Sequence, residues 1–63
     1  MWIRTKTVPA WYIHEIRGVC YVSWVSSIDK GQAAVFPEEY AIKWAEILSE
    51  TTGFDLEIIK PFA

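Results

Sequence analysis

One cysteine and one histidine in 63 residues set the tightest limit on what this chain can fold into. A domain of that size buries only about 60% of the surface its unfolded chain exposes. It is marginal unless disulfides, metals, self-association or an unusually rich core help it. Cys20 alone cannot make an internal disulfide, which fits a reducing compartment such as a cytoplasm. A structural zinc needs four nitrogen or sulfur ligands and a catalytic zinc needs three, so His14 and Cys20 are too few. A rich core or self-association is left. Here composition enters: 52% of residues are hydrophobic and four are tryptophan, and each large aromatic can bury about 150–250 Å². Residues 1–63 therefore read as one small domain with no metal and no cofactor.

Proline and glycine divide the chain. Trp2–Val8 is β-rich and stops at Pro9, which cannot donate to a ladder. Trp11–Ile16 leads to a turn at Arg17-Gly18. Val19–Ile28 leads to Asp29-Lys30-Gly31, which suits a three-residue hairpin loop, and Gln32–Phe36 comes next as a short strand. Pro37 then suits a first helical turn, and Glu38 and Glu39 suit the positive end of the helix dipole. Tyr40, Ala41, Trp44, Ile47, Leu48 and Thr51 share one helical face. Gly53 stops the helix. Phe54, Leu56 and Ile58 alternate with Asp55, Glu57 and Ile59 in a last strand, closed by Pro61. The expected fold is α+β: an antiparallel sheet of three to four strands (a β-meander) packed on one α-helix, with a closing C-terminal strand. The order is β-β-β-β-α-β or β-β-β-α-β.

A turn centred on Arg17-Gly18 sets Ile16 opposite Val19, Ile13 opposite Val22 and Trp11 opposite Trp24. The second hairpin sets Phe36 opposite Trp24. One face then holds Trp11, Ile13, Cys20, Val22, Trp24 and Ala34, and takes the helix. The other holds Tyr12, His14, Ile16, Val19, Tyr21, Ser23, Val25, Ala33 and Val35. A single helix covers one side, and a one-sided sheet should turn polar residues to water. This second face is aromatic and apolar, as interaction surfaces are, unless the sheet curls or the N-terminal strand folds over it. The candidate partner-binding residues are Tyr12, His14, Tyr21, Val25 and Val35. The expected partner is a protein, or a second copy in a homodimer.

Catalytic signatures are missing. His14 and Cys20 point to opposite faces in this register, Ser23, Ser26 and Ser27 lie in no nucleophile elbow, and Gly18, Gly31 and Gly53 form no phosphate cradle. The chain is therefore expected not to be an enzyme and to have no small-molecule substrate. Net charge is −2, unlike a dedicated nucleic-acid binder. Residues 37–63 carry six acids against Lys43 and Lys60, a pattern typical of a solvated helix face. No stretch approaches the roughly 18 apolar residues of a membrane span, and the start has no signal-peptide pattern, so a cytoplasmic protein is expected. The competing expectation is a weak single-strand nucleic-acid binder. Tyr12, Tyr21 and His14 would stack bases, and Arg4, Lys6 and Arg17 would meet phosphates.

From Ala34 to Ile59 the order is strand, Phe36-Pro37-Glu38-Glu39, a helix with Trp44-Ala45 and Leu48, Gly53, and a closing strand. This stretch resembles a pattern in small proteins encoded by phages and mobile elements. The resemblance implies an inhibitor that binds and blocks a host enzyme or defence complex, in the anti-CRISPR or anti-restriction manner. It covers under half the chain and carries over no functional residue.

Overall fold

Among the described residues four strands and one α-helix form, in the order β1 (Trp2–Thr5), β2 (Trp11–Gly18), β3 (Tyr21–Ser26), α1 (Glu38–Thr52) and β4 (Leu56–Ile59). A computed structural model describes residues 1–19 and 21–61. Cys20, expected on the helix-facing side of the sheet, lies outside the described residues. The strands make one antiparallel sheet in the order β3-β2-β1-β4. This is the expected α+β class, in the β-β-β-α-β order, with the first strand of the chain inside the sheet rather than at its rim.

The helix begins where proline predicts. Pro37 is extended at φ −56°, and its carbonyl accepts the Ala41 N–H at 2.9 Å. Glu38 and Glu39 occupy the first turn, where carboxylates favour the dipole. Gly53 ends the helix at φ +77°, donating its N–H to the Ser49 carbonyl at 3.1 Å. Space is not what glycine supplies here, because a Cβ at position 53 would meet nothing within 4 Å. Gly53→Ala is therefore expected to cost about 1–2 kcal/mol of left-handed backbone strain. A lower urea midpoint at unchanged slope would show it.

Alternation then decides what each side of the sheet buries. Ile3, Ile13 and Leu56 project to the helix side and pack with Ala41 and Leu48. Ile16, Val22, Trp24, Trp44, Ala45 and Ile58 surround that centre. Trp2 and Tyr12 project to the opposite side, where they form a second small core with Ala33. Their rings meet edge to face at 5.4 Å. No helix among the described residues is long and apolar enough to cross a membrane.

Three expectations are corrected. Ile13 pairs with Trp24 rather than Val22, and Trp11 with Ser26 rather than Trp24. The turn falls beyond Gly18, which stays in β2, so Arg17-Gly18 is not the turn centre. An irregularity between Ile13 and Glu15 then inserts an extra residue in β2. A bulge of this kind reverses the facing of the residues after it. His14 and Glu15 are both exposed, and Ile16 joins the helix-side core instead of the second face.

The segment after β3 departs most from expectation. Asp29-Lys30-Gly31 makes no hairpin loop. Ser27–Gln32 winds as a 3-10 helix, and Gln32–Phe36 is no fourth meander strand beside β3. The chain instead turns back toward β1 and β2, whose own ladder pairs Arg4 with Tyr12. Ala34 donates to the Ile13 carbonyl at 3.0 Å, and Met1 and Phe36 exchange bonds at 2.6 and 2.9 Å. Backbone groups of that stretch thus find partners at the splayed end of β1 and β2, which is why they do not pair with β3. Phe36 consequently lies against Met1, not opposite Trp24.

Candidate functional site

The loop return covers Tyr12 on the face expected to be open. Tyr12 is only 4% exposed, and Ala33 is buried beside it. Tyr12 is therefore no part of an exposed aromatic face. The Arg4 guanidinium donates through Nη1 to its hydroxyl at 3.2 Å and through Nε to Glu57 Oε1 at 2.8 Å. The Tyr12 hydroxyl first, and Glu57 second, push the Arg4 pKa above its ordinary value. About a third of each ion-pair side chain is exposed, so that pair adds at most about 1 kcal/mol.

The other candidate residues scatter. His14 is exposed, with Nδ1 2.7 Å from the Gln32 carbonyl. A carbonyl only accepts, so that nitrogen carries the proton. Val25 is half-buried against the second core and lies directly opposite Tyr12. Tyr21 is 73% exposed at the far end of β3, and Val35 is exposed on the segment that enters the helix. Tyr12, His14 and Val25 are thus gathered under or beside the returning segment, whose residues Ala34 and Phe36 flank Val35, while Tyr21 lies at the other end of β3 from Val25. Tyr12 is the member that the fold withdraws from solvent, while His14, Tyr21 and Val35 stay exposed.

A different apolar concavity is open to solvent. Thr5, Trp11, Trp24 and Phe54 line about 310 Å³ on the helix side of the sheet. Trp24 and Phe54 meet edge to face at 5.9 Å, while Trp11 and Phe54 are each nearly half exposed. Three other surface clefts all include charged side chains in their walls. This one includes none. No family model, curated protein or solved structure matches this chain. The groove's own chemistry must therefore say what it receives.

A short relay fixes its wall. The Trp11 N–H donates to Thr5 Oγ1 at 2.9 Å, the Thr5 and Thr7 hydroxyls lie 2.7 Å apart, and Thr7 Oγ1 donates to the Pro9 carbonyl at 2.9 Å. With Thr7 donating onward, Thr5 must donate to Thr7, and the buried Thr5 hydroxyl is satisfied on both sides. Trp11 is held as the chain enters β2, and Phe54 as it leaves the helix stop at Gly53. Sequence reasoning places Trp11 in the core and Phe54 on the buried face of the last strand. The signal that could have found them is position: each comes after a proline or glycine break, at the end of an element where the helix no longer covers the sheet.

Such a site can desolvate an apolar side chain, and the Thr5 hydroxyl in its wall is already engaged by the Trp11 backbone and Thr7. Among the described residues no three His, Cys, Asp or Glu side chains stand together as metal ligands. A second aromatic run, Phe36 stacked on Tyr40 at 5.3 Å and Tyr40 tilted against Trp44 at 5.9 Å, lies near the helix start. Phe36 and Trp44 pack against the core, and the run is better explained as the seam joining the helix to its entry segment.

Proposed function

We propose that this chain is a non-enzymatic protein-binding module that masks a partner's surface, docking an apolar side chain of that partner between Trp11, Trp24 and Phe54. The observation that carries the reading is the charge-free aromatic groove left open between Trp11, Trp24 and Phe54, whose outer rings Trp11 and Phe54 stay nearly half exposed. Partly exposed aromatic anchors in a concave site are where binding energy concentrates in protein interfaces. The single cysteine supports a reducing, cytoplasmic setting. Masking is also how the phage- and mobile-element inhibitors of host enzymes or defence complexes work, and the Ala34–Ile59 pattern resembles theirs.

The single-strand nucleic-acid reading relied on Tyr12, Tyr21 and His14 as a stacking platform. It fits less well with Tyr12 buried and Tyr21 at the opposite end of β3. The test is capture from a host lysate by immobilised chain and three surface variants. Trp11→Lys and Phe54→Lys should each lose the captured proteins by about tenfold or more, while Val8→Lys, at a fully exposed site off the groove, should keep them. Equal capture by all three variants would refute the groove. Oligonucleotide binding that falls steeply with salt would restore the nucleic-acid reading.

A further inference from the structure

The two edges of the sheet are built differently. β4 contains Glu57 and is flanked by Asp55, Lys60 and Pro61. Charge and proline at an edge keep further strands from adding to it. β3, at the other edge, reads Tyr-Val-Ser-Trp-Val-Ser and has neither. Its one ladder partner among the described residues is β2. A strand of six residues without such protection leaves a row of main-chain donors and acceptors open to another strand.

We propose that β3 is a self-association edge, at which two copies of this chain pair β3 to β3 antiparallel and join their four-stranded sheets into one. The choice of a second copy comes from three features. First, the chain carries a net charge of −2, so two copies repel. The uncharged β3 is a place where they can meet without setting like charges opposite one another. Second, pairing centred on Ser23 places Tyr21 opposite Val25 and Val22 opposite Trp24, and opposite residues share a face. The same pairing brings the hairpin end of one copy, with Val19 and Tyr21, to the Ser27-Ile28 end of the other. Val19, Tyr21 and Ile28 are exposed apolar side chains, Ile28 at 91%, and this one reciprocal contact gives all three company. Third, a domain of this size without an internal disulfide is of the kind that self-association commonly stabilises. The contact is independent of the groove's outer wall, since Trp11 and Phe54 take no part in it.

Sedimentation equilibrium on the full chain tests the proposal. Wild type should run at twice the monomer mass at about 100 µM. Tyr21→Glu and Ile28→Asp, both at exposed positions, should each weaken the dimer by about 100-fold or more, and Phe54→Lys should leave it intact. Amide exchange in β3 should slow as concentration rises, while exchange in β4 does not. A monomer up to about 1 mM, or a dimer indifferent to both charge variants, overturns the proposal. A dimer lost only with Phe54→Lys overturns it too and moves the contact to the groove. A monomer whose β3 becomes protected only when another protein's extended segment is added assigns the edge to strand addition by that partner, and likewise overturns self-pairing.

Discussion

Alanine at Tyr12 should severely destabilise this domain, whereas alanine at Tyr21 should leave it standing. Both are tyrosines on strands of the same sheet, and the difference lies entirely in what covers them. Tyr12 is buried against Trp2 and Ala33, with its hydroxyl accepting from Arg4. Truncating a buried aromatic to alanine costs about 3–5 kcal/mol. At about 0.05–0.15 kcal/mol per residue, 63 residues provide only about 3–9 kcal/mol in total. Tyr12→Ala therefore removes from about a third of the stability to all of it. Tyr12→Phe keeps the ring and forgoes only the hydroxyl's hydrogen bond, at about 0.5–1.5 kcal/mol. Tyr21→Ala, at a site exposed in the single chain, should fall within about 0.5 kcal/mol of wild type when unfolding is followed at concentrations too low for self-association. Urea unfolding followed by tryptophan fluorescence orders the three, and equal midpoints for Tyr12→Ala and Tyr21→Ala would show that the loop does not cover Tyr12.

Leu48→Ala is expected to be nearly as damaging, with Ile42→Ala as its silent counterpart on the same helix. Leu48 is fully buried among Ile3, Ile13, Ala41 and Leu56, and its removal leaves a hole that a small core cannot close. The cost is about 2–5 kcal/mol, and each kcal/mol lowers the midpoint of thermal unfolding by about 4–8 °C in a domain this size. The Leu48 carbonyl also accepts the Thr52 hydroxyl at 2.5 Å, a bond the substitution leaves intact, so the loss reports packing alone. Ile42 is half exposed among Glu38, Glu46 and other solvated residues and should shift the midpoint little. If calorimetry finds the two variants alike, the helix does not turn its Ala41–Leu48 face to the sheet.

The helix was legible because its signals are local. Pro37 and the two glutamates mark its start, Gly53 its stop, and Ala41 and Leu48 fall on the stripe the spacing predicts. The sheet's inward residues Ile13, Val22 and Trp24 were legible for another reason. The observed register slips by two positions, from Ile13 against Val22 to Ile13 against Trp24, and an even slip leaves every side chain on its own face. Ile16 was not legible, because one inserted residue at the bulge reverses the alternation and no period-two pattern announces it. Tyr12 and the segment from Ser27 to Phe36 were not legible either. Their placement depends on where the Ile13 and Met1 backbone groups end up, far away in sequence, and local turn chemistry cannot report that. The groove is not legible because Trp11 and Phe54 satisfy the pattern of buried residues, yet each is nearly half exposed.

The position of β1 bears on how the chain acquires its shape at all. Its inner neighbour is β2, but its other flank belongs to β4, with Trp2 paired to Ile59 and Thr5 to Leu56. Contacts so distant along the chain close slowly. While the ribosome is still threading residues 56–59 through its exit tunnel, Ile3 has no Ile58 beside it and Leu48 has no Leu56. Folding must therefore wait for those residues to emerge, and a nascent chain stalled before Leu56 would be held open for chaperones or proteases to find.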